Sequence, residues 1–329
     1  MNLTIVSGCP AGGACGVWGY SIALTDALGE KGIDASLVNA SDWSIGGFMS
    51  LVKKLRCSDN SILFQYPTAA AHRKVLPILL PLASWRNPVV SVIHEFSQGR
   101  LPSRIAIGLI ASASRHVVFT NVKEAGAACR MFPWLKSKSS IIPVASAIGR
   151  GADAPRQWDV VHFGIIRPGK QIEDFIETVS RIRDLNPSAL IVGAVPQQHS
   201  DFAENLKERA DKINIHCSFN SNDEDVANFL SKSRIALIPF SDGMSSRRTS
   251  ALSAMLNGTL LITTVAREEA SLFKDKSLMA SNIDELVTMT RSALLYPDQY
   301  DHITAQGEAY AKALSWPSIA TLFIKVLSN

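Results

Sequence analysis

The chain has 329 residues, which at roughly 150 residues per domain suggests two domains. With 47% hydrophobic and 19% charged residues, the composition excludes a disordered, collagen-like or disulfide-framed chain. The five cysteines form no C-x-x-C pair, which indicates free thiols. The apolar stretches are roughly half the ~20 residues that a membrane span needs. No basic leader precedes the first strand, so we expect a cytoplasmic protein.

Charge is distributed unevenly along the chain. Residues 1–150 contain 15 basic and 7 acidic residues and carry +8, whereas the rest contains 18 and 22 and carries −4. A basic first half favours an anionic partner, such as a phosphate-bearing substrate or an acidic membrane surface, although a solvated surface is the simpler alternative. Nucleic acid is not expected, because no aromatic stripe or binding motif accompanies the charge.

Short β-branched runs alternate with helix-length segments from one end of the chain to the other. One such segment, Val17–Lys31, is predicted to be a helix that ends at Gly32. Apolar strands separated by helices predict parallel sheets covered on both faces. The runs predicted as strands are Leu3–Ser7, Ser36–Asn39, Ile62–Tyr66, Val89–His94, Val117–Thr120, Ile141–Val144, Asp159–Phe163, Ala189–Gly193, Ile213–Cys217, Ile235–Pro239 and Leu260–Thr264.

These two series predict two doubly wound, Rossmann-like α/β domains that face each other across a cleft. The apolar periodicity is interrupted at Ile148–Gln157 by Gly, Ala, Asp, Pro and Arg. We therefore expect one domain over residues 1–152 and a second over 153–315. Ligands of such sheets collect beyond the carboxyl ends of the strands, so the loops there are candidate sites.

The first such loop, Gly8–Gly19, is rich in glycine and leads into a helix, a combination that suits an anion. Its glycines do not have the G-x-G-x-x-G spacing, and the second strand ends in Asn39 rather than an acidic residue. Both features count against a dinucleotide cofactor and an oxidoreductase. A tight strand-to-helix turn remains the alternative. The fourth run ends in His94-Glu95, a polar pair where a site would lie, although a purely structural role of the histidine is an equal alternative.

Two loops of the second half carry cations before a helix. In Gly164–Lys170, Arg167 and Lys170 flank a Pro-Gly pair, and positive charges there oppose the helix dipole unless an anion lies between them. This favours a phosphate-binding role, and a solvated pair of cations is the alternative. In Pro239–Gly258, Ser245 is the predicted N-cap, and the adjacent Arg247 and Arg248 require a polyanion or acidic neighbours.

These motifs resemble the family-4-like retaining glycosyltransferases of the glycosyltransferase B fold, especially bacterial members that build surface polysaccharides. The Gly12-Gly13 loop is similar to the N-terminal glycine loop of that family, and Gly164–Lys170 to its Gly-Arg-x-x-x-x-Lys-Gly turn. Pro239–Gly258 is similar to its Glu-x7-Glu segment, and Ser315-Trp316-Pro317 to its C-terminal crossover. The resemblance implies that helix 316–329 returns to the N-terminal, acceptor-side domain, while 153–315 binds the donor.

The chain departs from the family pattern at four positions. Ser245 and Ser253 stand where the family has its two glutamates, Ile165 at its arginine and Gln171 at its glycine. Arg167 and the arginine pair are therefore candidates to replace lost donor contacts.

The resemblance implies transfer of a sugar from a UDP- or GDP-linked donor to a lipid-linked glycan, with retention and without a metal or other cofactor. His94, Arg167 and Lys170 are the expected catalytic residues. The expected donor-binding residues are Gly13, Gly16, Gly164, Asp242, Gly243, Met244, Ser245, Arg247, Arg248 and Ser253. Two alternatives remain open: a non-catalytic nucleotide-sugar- or glycan-binding partner of an enzyme, favoured by the missing glutamates, and a nucleotide-sugar epimerase.

The segment Trp43–Arg56 has the pattern of a helix lying on an anionic membrane. Its predicted apolar face is flanked by Lys53, Lys54 and Arg56. We therefore expect peripheral contact of the N-terminal domain with the inner face of the membrane, although a core-facing helix is equally compatible with the pattern. The apolar face consists of Ile45, Phe48, Met49, Val52 and Leu55.

Overall fold

The computed structural model describes residues 2–10, 15–265 and 269–328, which form alternating strands and helices. The strands are β1 Asn2–Ser7, β2 Asp34–Asn39, β3 Ser61–Tyr66, β4 Val89–Ile93, β5 His116–Phe119, β6 Ser139–Ile141, β7 Trp158–Phe163, β8 Ala189–Gly193, β9 Ile215–Phe219, β10 Ser233–Ile238, β11 Leu260–Thr264 and β12 Leu278–Ala280. The α-helices are α1 Gly16–Glu30, α2 Ile45–Arg56, α3 Leu80–Ala83, α4 Leu101–Ala113, α5 Val122–Met131, α6 Ile172–Arg181, α7 Ser200–Asp211, α8 Asp223–Ser231, α9 Thr249–Leu256, α10 Ala270–Phe273, α11 Ile283–Leu295, α12 Asp301–Ala313 and α13 Trp316–Ser328. Short 3₁₀ helices span Leu76–Leu79, Pro133–Ser137, Arg183–Leu185, Gln197–His199 and Pro297–Tyr300.

The strands form two six-stranded sheets in which every neighbouring pair is parallel. Their orders are β2-β1-β3-β4-β5-β6 and β12-β11-β10-β7-β8-β9. In each sheet the direction in which successive strands are added changes once, between β1 and β3 in the first sheet and between β7 and β10 in the second. We call this place the winding reversal. Loops that leave the carboxyl ends of those strands diverge and leave a crevice between them. The predicted pair of doubly wound sheets is confirmed.

The chain divides into two compact units, one of residues 1–144 with 316–329 and the other of residues 145–315. In the first unit, α13 packs along α1, where the rings of Tyr20 and Trp316 lie 5.1 Å apart. The change of unit falls eight residues before the expected boundary of 152/153. Asn257, after α9, explains the difference, because its side chain binds Gly149 O at 3.1 Å and Gly151 N at 2.8 Å.

All eleven runs predicted as strands correspond to strands. The runs at Ile141–Val144 and Ile213–Cys217 were displaced, because those strands end at Ile141 and Phe219. The short edge strand β12 was missed, since three residues carry too little pattern. Gly32 follows α1 with a φ of 76°, the left-handed conformation that glycine adopts freely, so the predicted helix end is confirmed.

Helix α2 uses most of its apolar face for the core of the first unit. Phe48, Val52 and Leu55 are buried there, whereas Ile45 and Met49 are 77% and 60% exposed. The interpretation of all five residues as a lipid-facing surface is therefore wrong for the three buried ones. None of the described helices combines the length and the apolar character required to cross a bilayer.

Candidate functional site

The loops after β7 and β10 lie at the winding reversal of the second unit and carry most of the predicted site residues. Gly164 follows β7, and its amide donates to Val192 O at 3.1 Å. A Cβ on Gly193 would collide with the Gly164 carbonyl oxygen, so the two strand ends approach closely only because that position is glycine. This close approach fixes the start of the loop that leads to Arg167 and Lys170.

Lys170 is half-buried in a cluster of positive charges. Burial lowers the pKa of its ammonium group, and three guanidinium groups lower it further, those of Arg167, Arg248 and Arg247. The structure thus brings together four cations that the sequence places on two loops almost eighty residues apart. Charges of one sign in a partly buried crevice repel one another, and a polyanion such as a diphosphate would relieve that repulsion.

The two arginines of the second loop are held by Asp242. Arg247 Nη2 lies 3.1 Å from Asp242 Oδ2, and Arg248 Nη2 contacts Oδ1 of the same carboxylate. The Arg248 guanidinium also stacks over the Phe240 ring, 4.4 Å from its centroid. Asp242 therefore organises the cluster and offsets part of its charge.

The turn before α9 differs from the predicted one. The helix begins at Thr249 with Arg248 as N-cap, so the assignment of Ser245 as N-cap was wrong. The Arg248 amide donates to Ser245 O at 3.0 Å, which closes a separate turn ahead of the helix. The predicted helix stop at Gly258 is confirmed by its φ of 64°.

The backbone amides of two predicted donor-binding residues are already used by the chain. Gly243 N donates to Phe240 O at 3.0 Å, and Met244 N to Thr264 O at 2.8 Å. By contrast, Ser245 Oγ is buried and has no hydrogen-bond partner within the described parts of the chain. The Ser245 hydroxyl is thus a buried polar group of this turn whose hydrogen-bonding capacity the described chain does not use.

Ser253 is fully buried, and its hydroxyl is occupied by other residues of the chain. It donates to Thr249 O at 2.8 Å, lies 2.9 Å from Ser146 Oγ and accepts from Ile148 N at 3.3 Å. These contacts fasten the segment that enters the second unit. A donor-binding role for this hydroxyl has no support from the geometry.

Glu269 is a site residue that the sequence reasoning missed. Its Oε2 accepts from Ser246 N at 2.7 Å, and its charge acts on Arg248, whose pKa burial lowers and Glu269 raises. Its Oε1 and Arg248 Nε are both buried without a partner in the described chain. Its position in the sequence could have identified it, because Glu269 follows the carboxyl end of β11, the strand beside β10.

Gln171 precedes α6 with a φ of 54°, at the position where the resembled family has glycine. The left-handed backbone conformation explains the preference for glycine, since it is strained for most residues that carry a Cβ. Here Gln171 Nε2 donates to Asp174 Oδ2 at 3.0 Å, which holds the turn behind Lys170.

In the first unit, Gly16 begins α1, while Gly13 lies outside the described residues. The loop after β1 is held by Asn39, whose Oδ1 accepts from Cys9 N at 3.0 Å and whose Nδ2 donates to Cys9 O at 3.3 Å. A Cβ on Gly8 would collide with Ala40 O. Asn39 thus fixes the backbone of this loop.

His94 follows β4 and is enclosed by polar and aromatic groups. Its Nε2 lies 2.8 Å from Gln65 Oε1, and its ring meets that of Tyr20 edge-on at 5.1 Å. Burial lowers the pKa of His94 to about 4, so the ring is neutral near pH 7. Neither Gln65 nor Tyr20 was predicted as part of this site. Ser7 Oγ, Tyr20 OH and Gln65 Nε2 are all buried without a partner in the described chain.

Among residues 2–10, 15–265 and 269–328, no three His, Cys, Asp or Glu side chains lie together in a way that would hold a metal ion.

The two parallel sheets with their flanking helices match the two-domain, Rossmann-like glycosyltransferase B fold of solved structures. Within it, residues 157–294 match the model of the family "Glycosyl transferases group 1". The resemblance drawn from the motifs is confirmed over these residues. No protein of curated function matches the sequence significantly.

Solved structures show the same fold at low sequence identity. One is Anabaena Alr3699/HepE in complex with UDP-glucose, with a TM-score of 0.75, 13% identity and coverage of 100% of this chain and 99% of that one. Another is the sucrose-phosphate synthase of Thermosynechococcus elongatus, with a TM-score of 0.72, 15% identity and coverage of 100% and 98%. A third is an alpha-glucosyltransferase in complex with UDP-glucose and DNA, with a TM-score of 0.69, 11% identity and full coverage of both chains.

Proposed function

We propose that the protein is a glycosyltransferase that moves a sugar from a nucleoside diphosphate donor to a glycan acceptor. The observation that carries this proposal is the four-cation cluster of Arg167, Lys170, Arg247 and Arg248 at the winding reversal of the second unit. It lies in the region that matches the group 1 glycosyl transferases. Two solved structures of similar fold contain UDP-glucose, which makes a UDP-sugar the first donor to test.

The cluster would act on the leaving group. Negative charge grows on the diphosphate as the sugar departs, and fixed cations in a partly buried site stabilise that charge more strongly than water does. Lys170 and Arg167 are the proposed diphosphate ligands, and Ser245 Oγ is a further donor. Catalysis without a metal is part of this proposal, and its support is the positive charge that the protein itself supplies.

Retention of configuration follows from the resemblance to retaining enzymes. In the proposed step, the acceptor oxygen bonds to the anomeric carbon on the face from which the phosphate oxygen departs. The acceptor proton passes to that phosphate oxygen. His94, being neutral, would hydrogen-bond to the donor sugar without adding charge.

The proposed acceptor is a lipid-linked glycan of a surface polysaccharide, and the proposed location is the cytoplasmic face of the membrane. The positive balance of residues 1–150 supports an anionic acceptor or surface on that side. Anomeric analysis of the product by NMR tests retention, and assays with polyprenyl-diphosphate-linked and free glycans test the acceptor class.

A second candidate is a non-catalytic nucleotide-sugar-binding subunit of the same fold. The observation that favours it is Ser253, whose hydroxyl is bound within the chain where the resembled family has a glutamate. Donor hydrolysis or transfer by the purified protein would contradict this candidate. Binding of donor without any turnover would support it.

A thermal-shift series with UDP, GDP, ADP and their sugars tests nucleotide binding, which both candidate functions require. A ligand at 100 times its dissociation constant stabilises the folded state by about 2.7 kcal/mol, which raises the melting temperature measurably. No shift with any nucleotide, combined with no transfer in radiolabelled-donor assays, would contradict the proposed function.

A further inference from the structure

The first unit exposes an apolar stripe along α4. Leu101, Ile105 and Leu109 are spaced four residues apart, so they lie on one side of the helix, and all three are exposed. The opposite side of α4 buries Ile107 and Ile110 in the core. The stripe is therefore additional to the apolar face that folding requires.

The segment beside α4 repeats this arrangement. The helix α3 and the 3₁₀ helix before it pack against α4, and they bury Pro77 and Leu80. Leu79, Leu82 and Trp85 from the same segment are exposed, with Trp85 at 70%. We call these six residues the α3–α4 surface: Leu79, Leu82, Trp85, Leu101, Ile105 and Leu109.

Positive charge accompanies the α3–α4 surface. The Arg86 guanidinium lies 5.4 Å from the centroid of the Trp85 ring, and Arg100 directly precedes the α4 stripe. Arg56 Nε donates to Ala83 O at 2.9 Å, which brings a third cation to α3. From residue 60 to 123 the sequence contains one acidic residue, Glu95. The surface thus combines Leu, Ile and Trp side chains with cations that come from, or contact, a stretch of sequence poor in acidic residues.

We propose that the α3–α4 surface docks the protein on an anionic lipid bilayer. Exposed Leu and Trp side chains enter the boundary between headgroups and acyl chains, while arginines pair with lipid phosphates. Two copies of this chain would place like charges against each other, which disfavours a homodimer through this surface. The inference deepens the proposed function by naming the partner surface of its lipid-linked acceptor. The α3–α4 surface, and not the partly buried helix α2, is then the proposed membrane contact.

The test is co-sedimentation of the full-length protein with vesicles of phosphatidylcholine alone or with one third phosphatidylglycerol. We expect binding to the anionic vesicles that weakens at high salt. The double variant Leu101→Glu/Leu109→Glu should reduce the bound fraction at limiting lipid at least about tenfold, since it removes apolar contacts and adds repulsion. Trp85→Ser should give a smaller reduction.

Two matched variants complete the test. Leu295→Glu alters an exposed leucine on α11 of the second unit, and Ile45→Glu alters the exposed end of α2, so both should leave binding unchanged. Circular dichroism and the UDP-induced thermal shift show whether each variant folds, and they report the proposed function separately from docking.

Several results of the vesicle assay would overturn the inference. They are absence of wild-type binding to anionic vesicles, equal binding to neutral vesicles, unchanged binding of the Leu101/Leu109 double variant, and loss of binding in Ile45→Glu alone. A wild-type dimer that the double variant dissociates, without vesicle binding, would identify the α3–α4 surface as a contact between copies and would equally overturn it. If docking fails while UDP still binds, the donor-site proposal stands.

Discussion

Ser253 Oγ lies 2.9 Å from Ser146 Oγ inside the second unit, and the pair joins α9 to the segment by which the chain enters that unit. The position that the resembled family gives to a donor-binding glutamate therefore serves here to hold two segments together. This relationship makes an engineered glutamate at position 253 informative.

Ser253→Glu is expected to destabilise the protein and not to improve donor binding. The carboxylate would be buried against groups that already satisfy one another, a change that costs at least about 3 kcal/mol. Urea unfolding measures the loss, and Ser271→Glu on the exposed side of α10 is the control, with little change expected. A stable Ser253→Glu protein that binds UDP more tightly would show that position 253 faces the donor after all.

Lys170→Ala is expected to lower the transfer rate about a hundredfold, because one fixed donor to developing charge contributes ~2.7–4 kcal/mol. Lys170→Arg keeps the charge and should retain more activity than Lys170→Ala. Lys212→Ala removes an exposed lysine after α7 and should leave kcat and donor affinity unchanged. Full turnover and affinity in Lys170→Ala would refute the assignment of Lys170 to the diphosphate.

Glu269→Ala is expected to weaken UDP binding about tenfold, since it releases Ser246 N and the turn that carries Ser245. Glu269→Gln retains an oxygen that can accept from Ser246 N, so it should bind UDP more nearly as the wild type does. Isothermal titration measures both, with Glu208→Ala on the exposed side of α7 as control. If Glu269→Ala binds UDP with wild-type affinity, the turn does not depend on this carboxylate.

The protein is expected to lose stability between pH 6.5 and 4. Burial lowers the pKa of His162 to about 4, with a smaller contribution from Lys170 in the same direction, while its Nδ1–H donates to Leu237 O at 3.2 Å, a contact that opposes the shift. An unfolded histidine ionises near pH 6.5, so the unfolded chain binds more protons in this window and stability falls as pH falls. The loss from pH 7 to about 4.5 is about 2 kcal/mol for His162, and burial of His94 contributes similarly.

His162→Gln should remove about 2 kcal/mol of the stability lost between pH 7 and 4.5 in urea titrations, whereas His302→Gln, on the exposed part of α12, should remove none. An unchanged slope of stability against pH in His162→Gln would show that His162 is not the buried neutral group.

The alternation of apolar runs with helix-length segments was sufficient to predict both sheets, since strands that are buried on both faces consist of nearly continuous runs of apolar residues. The turn ends at Gly32 and Gly258 were also predictable, because the left-handed conformation selects glycine locally. Which apolar residues of α2 and α4 are exposed could not be predicted from the sequence. Whether an apolar helix residue faces the core or solvent depends on which neighbour covers it, as the different environments of Met49 and Val52 show.

Two parallel α/β sheets and the cationic loops that follow β7 and β10 can be predicted from the amino-acid sequence, because strand pattern, glycine turns and charge are local properties. The folding of distant segments against one another places Arg248 near Lys170, adds Glu269 to the turn and encloses Ser253. Those relationships arise where separate loops meet at one edge of the sheet, and no segment of sequence contains the information about its distant partner.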